Sequence, residues 1–161
     1  MSIEVDPALI TEATGLASFG VELRAANDTD IEFIVNSWLK SYRWNLHVKE
    51  IRDDDYYPGQ REVILECLRV SRVAVACLEA SPSVIVGWAC GDSPDVDASQ
   101  LDFVYVKREF RKYGIARALV VEVAGCPDDG VSTFVTHMTK SFRHWTEKHN
   151  CYRYNPYLLM R

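Results

Sequence analysis

The chain has 161 residues, 48% of them hydrophobic and 25% charged, enough for one compact domain and too few for two of ordinary size. Its formal net charge of -5, from 18 Lys+Arg against 23 Asp+Glu, disfavours a protein that coats nucleic acid. Its 5 cysteines are odd in number and form no C-x-x-C, which argues against a disulfide framework or structural zinc; reduced thiols and no metal site are expected.

The first residues, MSIEVDPALITE, carry no basic segment ahead of an apolar run. No stretch approaches the roughly 20 apolar residues of a membrane span. A cytoplasmic protein without membrane contact is therefore expected. Residues 1–20 are weakly patterned and are expected to form an arm ahead of a single domain over 21–161. Val21 to Ala25 alternates apolar and charged residues, which predicts a half-buried strand. Asn27 and Asp28 offer helix caps. Ile31, Ile34, Val35, Trp38, Leu39 and Tyr42 then follow helical spacing. Arg43 to Gly59, rich in aromatics and acids, reads as a loop. Val63, Ile64, Cys67 and Leu68 predict a second, shorter helix.

Val73–Leu78 and Val84–Cys90 read as strands joined by a Ser81-Pro82-Ser83 turn. Residues 91–99, with Pro94, form a polar loop. Leu101–Val106 is a strand, and Ile115–Ala124 a helix ending near Gly125 and Pro127. Val131–Met138 is a strand, Lys140–His149 a helix, and Tyr152–Met160 a last strand that Pro156 interrupts or places at an edge. Adjacent strands imply hairpins and the later helices imply parallel crossovers, so the sheet is mixed.

The stretch from Leu101 to Val120 carries the chemistry. A strand runs through a basic loop straight into a helix. A helix N-terminus has unpaired N–H groups and a positive dipole end, which suits a phosphate. Gly114 has no side chain and Ala116 a small one, so a diphosphate can approach the backbone. Lys107, Arg108, Arg111, Lys112 and Arg117, against Glu109 alone, leave this loop at +4 within an acidic chain. An exposed basic turn capping a core helix would give the same letters.

The stretch resembles motif A of the GCN5-related N-acetyltransferases (GNAT). Those proteins carry a strand ending in Val, a spacer, then Arg/Gln-x-x-Gly-x-Gly/Ala. Val106, Arg111, Gly114 and Ala116 stand at that spacing, and the element order agrees over roughly residues 21–160. The resemblance implies an α/β (α+β) fold. Its sheet would be mixed but mostly antiparallel, with six or seven strands and about four flanking helices. A V-shaped splay would part the fourth and fifth strands. It also implies acetyl-CoA as cofactor, with pantetheine along Val104, Tyr105 and Val106. The amides of Arg111, Lys112, Tyr113, Gly114, Ile115 and Ala116 would hold the diphosphate. Lys107, Arg108, Lys112 and Arg117 are candidates for the 3′-phosphate. The implied reaction is direct attack of a primary amine, on a small molecule or a protein, by a monomer or homodimer. A CoA-binding or regulatory module that keeps the fold is the alternative.

The resemblance thins in the last helix. The family form Tyr-Glu-Lys, which places a general acid, is matched here by Thr146-Glu147-Lys148, or by Trp145 if the register slips by one. Replacement acids are His144, Tyr152 and Tyr154. Asp102 and His137 are the candidate bases. Strand alternation places Asp102 on the face of Val104 and Val106, and His137 on that of Val135. The resemblance puts the acceptor pocket at the loop joining the first two helices. There Trp38, Tyr42, Trp44, His47, Asp53, Asp54, Asp55, Tyr56 and Tyr57 would suit a cationic amine, although Trp38 and Tyr42 also read as core and the Asp run as a solvated loop.

Overall fold

A computed structural model of the protein describes residues 15–93, 98–125 and 132–160. Six strands form one sheet in chain order: β1 (Val21–Ala25), β2 (Arg72–Leu78), β3 (Ser81–Asp92), β4 (Ala98–Val106), β5 (Ser132–Val135) and β6 (Tyr152–Tyr154). The pairs from β1 to β4 are antiparallel, and β4–β5 and β5–β6 are parallel. Helices α1 (Ile31–Tyr42) and α2 (Asp53–Val70) follow β1. Parallel neighbours need crossovers, and α3 (Ile115–Ala124) and α4 (Lys140–Lys148) supply them. This is the mixed, mostly antiparallel sheet expected. Among the described residues no helix is long and apolar enough to cross a membrane.

The sheet separates two apolar layers. On one face Trp38, Val35 and Ile34 of α1 and Ile64 and Cys67 of α2 pack on Val75, Trp88 and Phe103. On the other, Leu119, Val120 and Val123 of α3 and Phe142 of α4 pack on Val86, Ala89, Leu101 and Val106. Leu16 is buried in this second layer.

Several predicted boundaries move. The loop expected over Arg43–Gly59 holds a short 3₁₀ turn (Leu46–Glu50), and α2 starts at Asp53 and runs for 18 residues. Arg43 explains this. The residue is only 6% exposed, and its guanidinium donates to the Asp53 carboxylate and to the Val48 and Ile51 carbonyls and lies over the Tyr56 ring. Asp53, Asp54 and Asp55 sit in the first turn, where the helix dipole favours acids. Pro58 removes one backbone hydrogen bond, and the helix continues through it.

The β2–β3 turn falls at residues 79–80 rather than at Ser81-Pro82-Ser83, because Ser81 already pairs with Leu78. Pro82 lies in the irregular stretch between Ser81 and Ile85, where its missing N–H breaks no ladder bond. Strands β3 and β4 reach into the polar loop expected over 91–99, of which 94–97 lie outside the described residues, as do Pro127 and Val131. Strand β5 stops at Val135, short of Met138. The last strand ends at Tyr154 and gives way to a 3₁₀ turn over Pro156–Met160. Asn155 accepts from the Tyr157 N–H and starts that turn, and Pro156 has no donor to continue the ladder.

Strands β4 and β5 pair only over Ala98–Leu101 and Ser132–Val135. The last bond across them is Thr136 N–H to the Leu101 carbonyl, 3.2 Å. Beyond it β4 follows β3 alone, so the expected splay opens along Asp102–Val106.

Candidate functional site

One wall of the splay is an unpaired strand edge. Lys107 N–H donates to the Val86 carbonyl at 2.8 Å. Strand alternation therefore turns the backbone groups of Val104 and Val106 away from β3 and into the gap. The Val106 carbonyl accepts from Arg111 Nε at 2.9 Å. A cleft of about 490 Å³ occupies the gap. Phe103 to Val106 form its strand wall, Arg111, Lys112 and Ala116 its loop, and Thr139 to Phe142 with Trp145 the opposite wall. Ser41 and Asn45 close it from the end of α1, where Asn45 Oδ1 accepts from the Lys140 N–H at 3.3 Å.

The loop between β4 and α3 has the backbone of an anion cradle. Lys112 (φ 73°) and Gly114 (φ 81°) are both left-handed and flank Tyr113. Such turns gather successive N–H groups around a concavity. Among the described residues, the N–H groups of Lys112, Tyr113, Gly114, Ile115 and Ala116 reach no acceptor. Gly114 is the N-cap of α3 and provides no capping side chain. A Cβ placed on it would meet nothing within 4 Å, so the loop is open at this residue. Open amides, a helix N-terminus and a local charge of +4 fit a diphosphate. The loop's side chains diverge: Arg111 folds back onto Val106, Lys107 reaches over the Phe33 ring, Ile115 is buried and Arg117 is exposed.

No protein-family model and no curated protein sequence matches the chain. Solved structures do. A histone acetyltransferase HPA2 and related acetyltransferase from Corynebacterium glutamicum superposes with TM-score 0.54 at 16% identity, over 80% of this chain and 83% of that one. The apo form of YjaB from Escherichia coli gives 0.53 at 17% identity, over 80% of each chain. A possible acetyltransferase from Clostridium difficile 630 gives 0.50 at 19% identity, over 83% of this chain and 91% of that one. The chain has the GNAT fold.

In the GNAT fold built here, the acid and base candidates do not converge on the cleft. Asp102 is fully buried and accepts from Ser71 Oγ (2.9 Å), Gln100 Nε2 (2.7 Å), Thr136 Oγ1 (2.9 Å) and Cys90 Sγ (3.6 Å). It lies on the α1–α2 side of the sheet, not on the face of Val104 and Val106 that alternation predicts. The cause is the register shift at Cys90/Gly91, where β3 pairs Cys90 with Phe103 but Gly91 with Leu101. His137 has left β5 and packs against Trp38, Tyr42 and Phe103, whereas Val135 belongs to the opposite layer. Those two residues therefore do not share a face.

His137 is 2% exposed and both ring nitrogens are engaged. Thr136 Oγ1 donates to Asp102, so it accepts from His137 Nδ1–H, leaving Nε2 to accept from Gln60 Nε2 at 3.0 Å. Burial pushes the imidazole pKa down from the usual 6.5 to about 4. As pH falls from about 6.5 towards about 4, the unfolded chain binds a proton that the folded chain refuses. Stability should therefore fall with acidification by up to about 3 kcal/mol from this group. Urea unfolding at pH 7 and pH 4.5 should show the loss, and His137→Gln should remove this part of it.

Of the α4 candidates, Trp145 lines the cleft and Thr146 does not, its hydroxyl donating to the Arg143 carbonyl at 2.9 Å. His144 and Tyr154 are exposed. Tyr152 is buried among Phe142, Trp145 and His149. Trp38 is core, and Tyr42 is half-buried against His137 and Phe103, its phenol pushed up to about 12 by burial. Trp44 is exposed, and Asp53 is taken by Arg43. Sequence reasoning missed Ser41, Asn45, Gln60, Thr136 and Thr139. Only Thr139 carried a local signal: it caps α4 by accepting from the Phe142 N–H. Among the described residues no group of three His, Cys, Asp or Glu could hold a metal.

Proposed function

We propose that the protein is an acyltransferase that takes an acetyl group from acetyl-CoA and passes it to a primary amine, on a small molecule or a protein. The observation that carries this reading is the run of open amides from Lys112 to Ala116 beside the unpaired edge of β4. A diphosphate calls for convergent N–H groups and cations. An amide-bearing arm calls for a free strand edge. Both requirements meet in one cleft. Arg111 to Ala116 would hold the diphosphate, Lys107, Arg108, Lys112 and Arg117 supply charge for a 3′-phosphate, and Val104 to Val106 would orient the arm.

Acetyl-CoA, when bound, supplies an acetyl group activated as a thioester. The chain supplies the rest. The Val106 N–H faces the gap and can polarise a carbonyl there. Phe142 and Trp145 give the cleft an apolar wall. Asp102 and His137 act as buried structural partners rather than as bases, so the amine sheds its proton to solvent. The hydroxyls that the start of α4 offers are Thr139 and Ser141, and neither titrates near neutrality. That feature also favours a second reading, a GNAT-fold protein that binds CoA but turns over poorly. Thiol release from acetyl-CoA across a panel of amines separates the two.

Thermal unfolding with acetyl-CoA, CoA and NAD tests the cofactor assignment. A ligand at a hundredfold its Kd adds about 2.7 kcal/mol, which for a chain of this size raises Tm by roughly 5–10 °C. Both CoA species should do so. NAD, with a diphosphate but no amide arm, should not. No shift with either CoA species would overturn the assignment.

A further inference from the structure

Two exposed aromatic rings meet at the rim of the anion cradle. Phe19 is 54% exposed and Tyr113 is 50% exposed, yet their centroids lie 4.9 Å apart, inclined at 52°. They come from separate elements. Leu16, buried in the core, and Gly20, whose carbonyl accepts from the Glu79 N–H at 2.9 Å, fix the turn that carries Phe19. Phe19 closes that turn with its own N–H on the Leu16 carbonyl at 3.0 Å. Tyr113 is held between the left-handed Lys112 and Gly114, in the middle of the cradle. Neither ring belongs to an apolar layer of the fold. The pair presents ring faces to solvent beside a cationic loop, a surface that a flat aromatic group can cover.

We infer that Phe19 and Tyr113 form a stacking platform for the adenine base of the coenzyme. This rests on the cofactor reading above. Adenine is joined to the diphosphate through one ribose, so a base whose phosphates lie on the amides at 112–116 falls within reach of the ring at 113. Aromatic faces accept any base by stacking, without hydrogen-bond readout. The platform gives a part in binding to the exposed Tyr113, set between two left-handed residues, and to residues 15–20.

The test is equilibrium binding by calorimetry, with CoA, 4′-phosphopantetheine and adenosine 3′,5′-bisphosphate as probes. Phe19→Ala and Tyr113→Ala should each weaken CoA and the bisphosphate about tenfold and leave 4′-phosphopantetheine unchanged. Tyr113→Phe keeps the ring and should bind as the parent does. Both side chains are half outside the protein, so the variants should melt with it. Parent-like CoA affinity in both alanine variants would overturn the platform and leave the cofactor reading standing. A parent protein that binds neither CoA nor 4′-phosphopantetheine would overturn both.

Discussion

Gly114→Asp should weaken CoA binding about a hundredfold or more while the protein still folds. A Cβ at this position meets nothing within 4 Å, so the substitution forces no clash at that atom. It would place a carboxylate on the residue that caps α3, within the run of open amides from Lys112 to Ala116. A like charge against a bound anion costs several kcal/mol, and a hundredfold loss corresponds to about 2.7 kcal/mol. The backbone adds a smaller term. Gly114 has φ 81°, a conformation that costs a residue with a Cβ roughly 1–2 kcal/mol. Gly114→Ala carries that strain without the charge. It should melt lower, as Gly114→Asp does, but keep most of its affinity. Calorimetric titration of both variants separates the two contributions. Equal CoA affinity in Gly114→Asp and the parent would mean that the diphosphate lies elsewhere.

The junction from strand through loop to helix was legible because its determinants are local. Gly114, Ala116 and the cluster of cations are contiguous, and a strand-to-helix junction fixes what their backbone does. The left-handed Lys112 was not legible, since lysine carries no preference for that conformation. The order of elements was legible for the same local reason: Val21–Ala25 alternates, and Ile31, Ile34, Val35 and Trp38 keep helical spacing. What failed was decided at a distance. Pro58 and three consecutive Asp read as loop, but the buried Arg43 clamps Asp53 from the end of α1 and the helix forms through them. Asp102 was assigned to the wrong face because a bulge shifts alternation by one and leaves no mark in the letters. Phe19 and Tyr113 stand 94 positions apart, and only the folded chain brings them together.

Asp102 gives the second large effect, and here stability and chemistry can be told apart. Its carboxylate gathers Ser71 from the end of α2, Cys90 from β3, Gln100 from β4 and Thr136 from the strand that splays away. Thr136 is the residue at which β5 leaves β4, bonded to β4 through both its N–H and its hydroxyl. Asp102 is thus the knot at the apex of the splay. Asp102→Ala would leave the buried Thr136 hydroxyl and the half-buried Gln100 amide without their acceptor, and should cost about 3–5 kcal/mol in urea unfolding. Asp102→Asn should cost less, about 1–2 kcal/mol. Its new N–H groups can donate to Ser71 and Cys90, which are able to reverse roles, while its oxygen still accepts from Thr136. A catalytic base would behave the other way round. Asparagine in its place would leave stability nearly intact and abolish the pH-dependent limb of acetyl transfer. The expected result for Asp102→Asn is therefore a lowered unfolding midpoint with turnover, measured well below that midpoint, within a few-fold of the parent at every pH. Retained stability with lost turnover would return Asp102 to the chemistry and make the splay apex the site of proton removal.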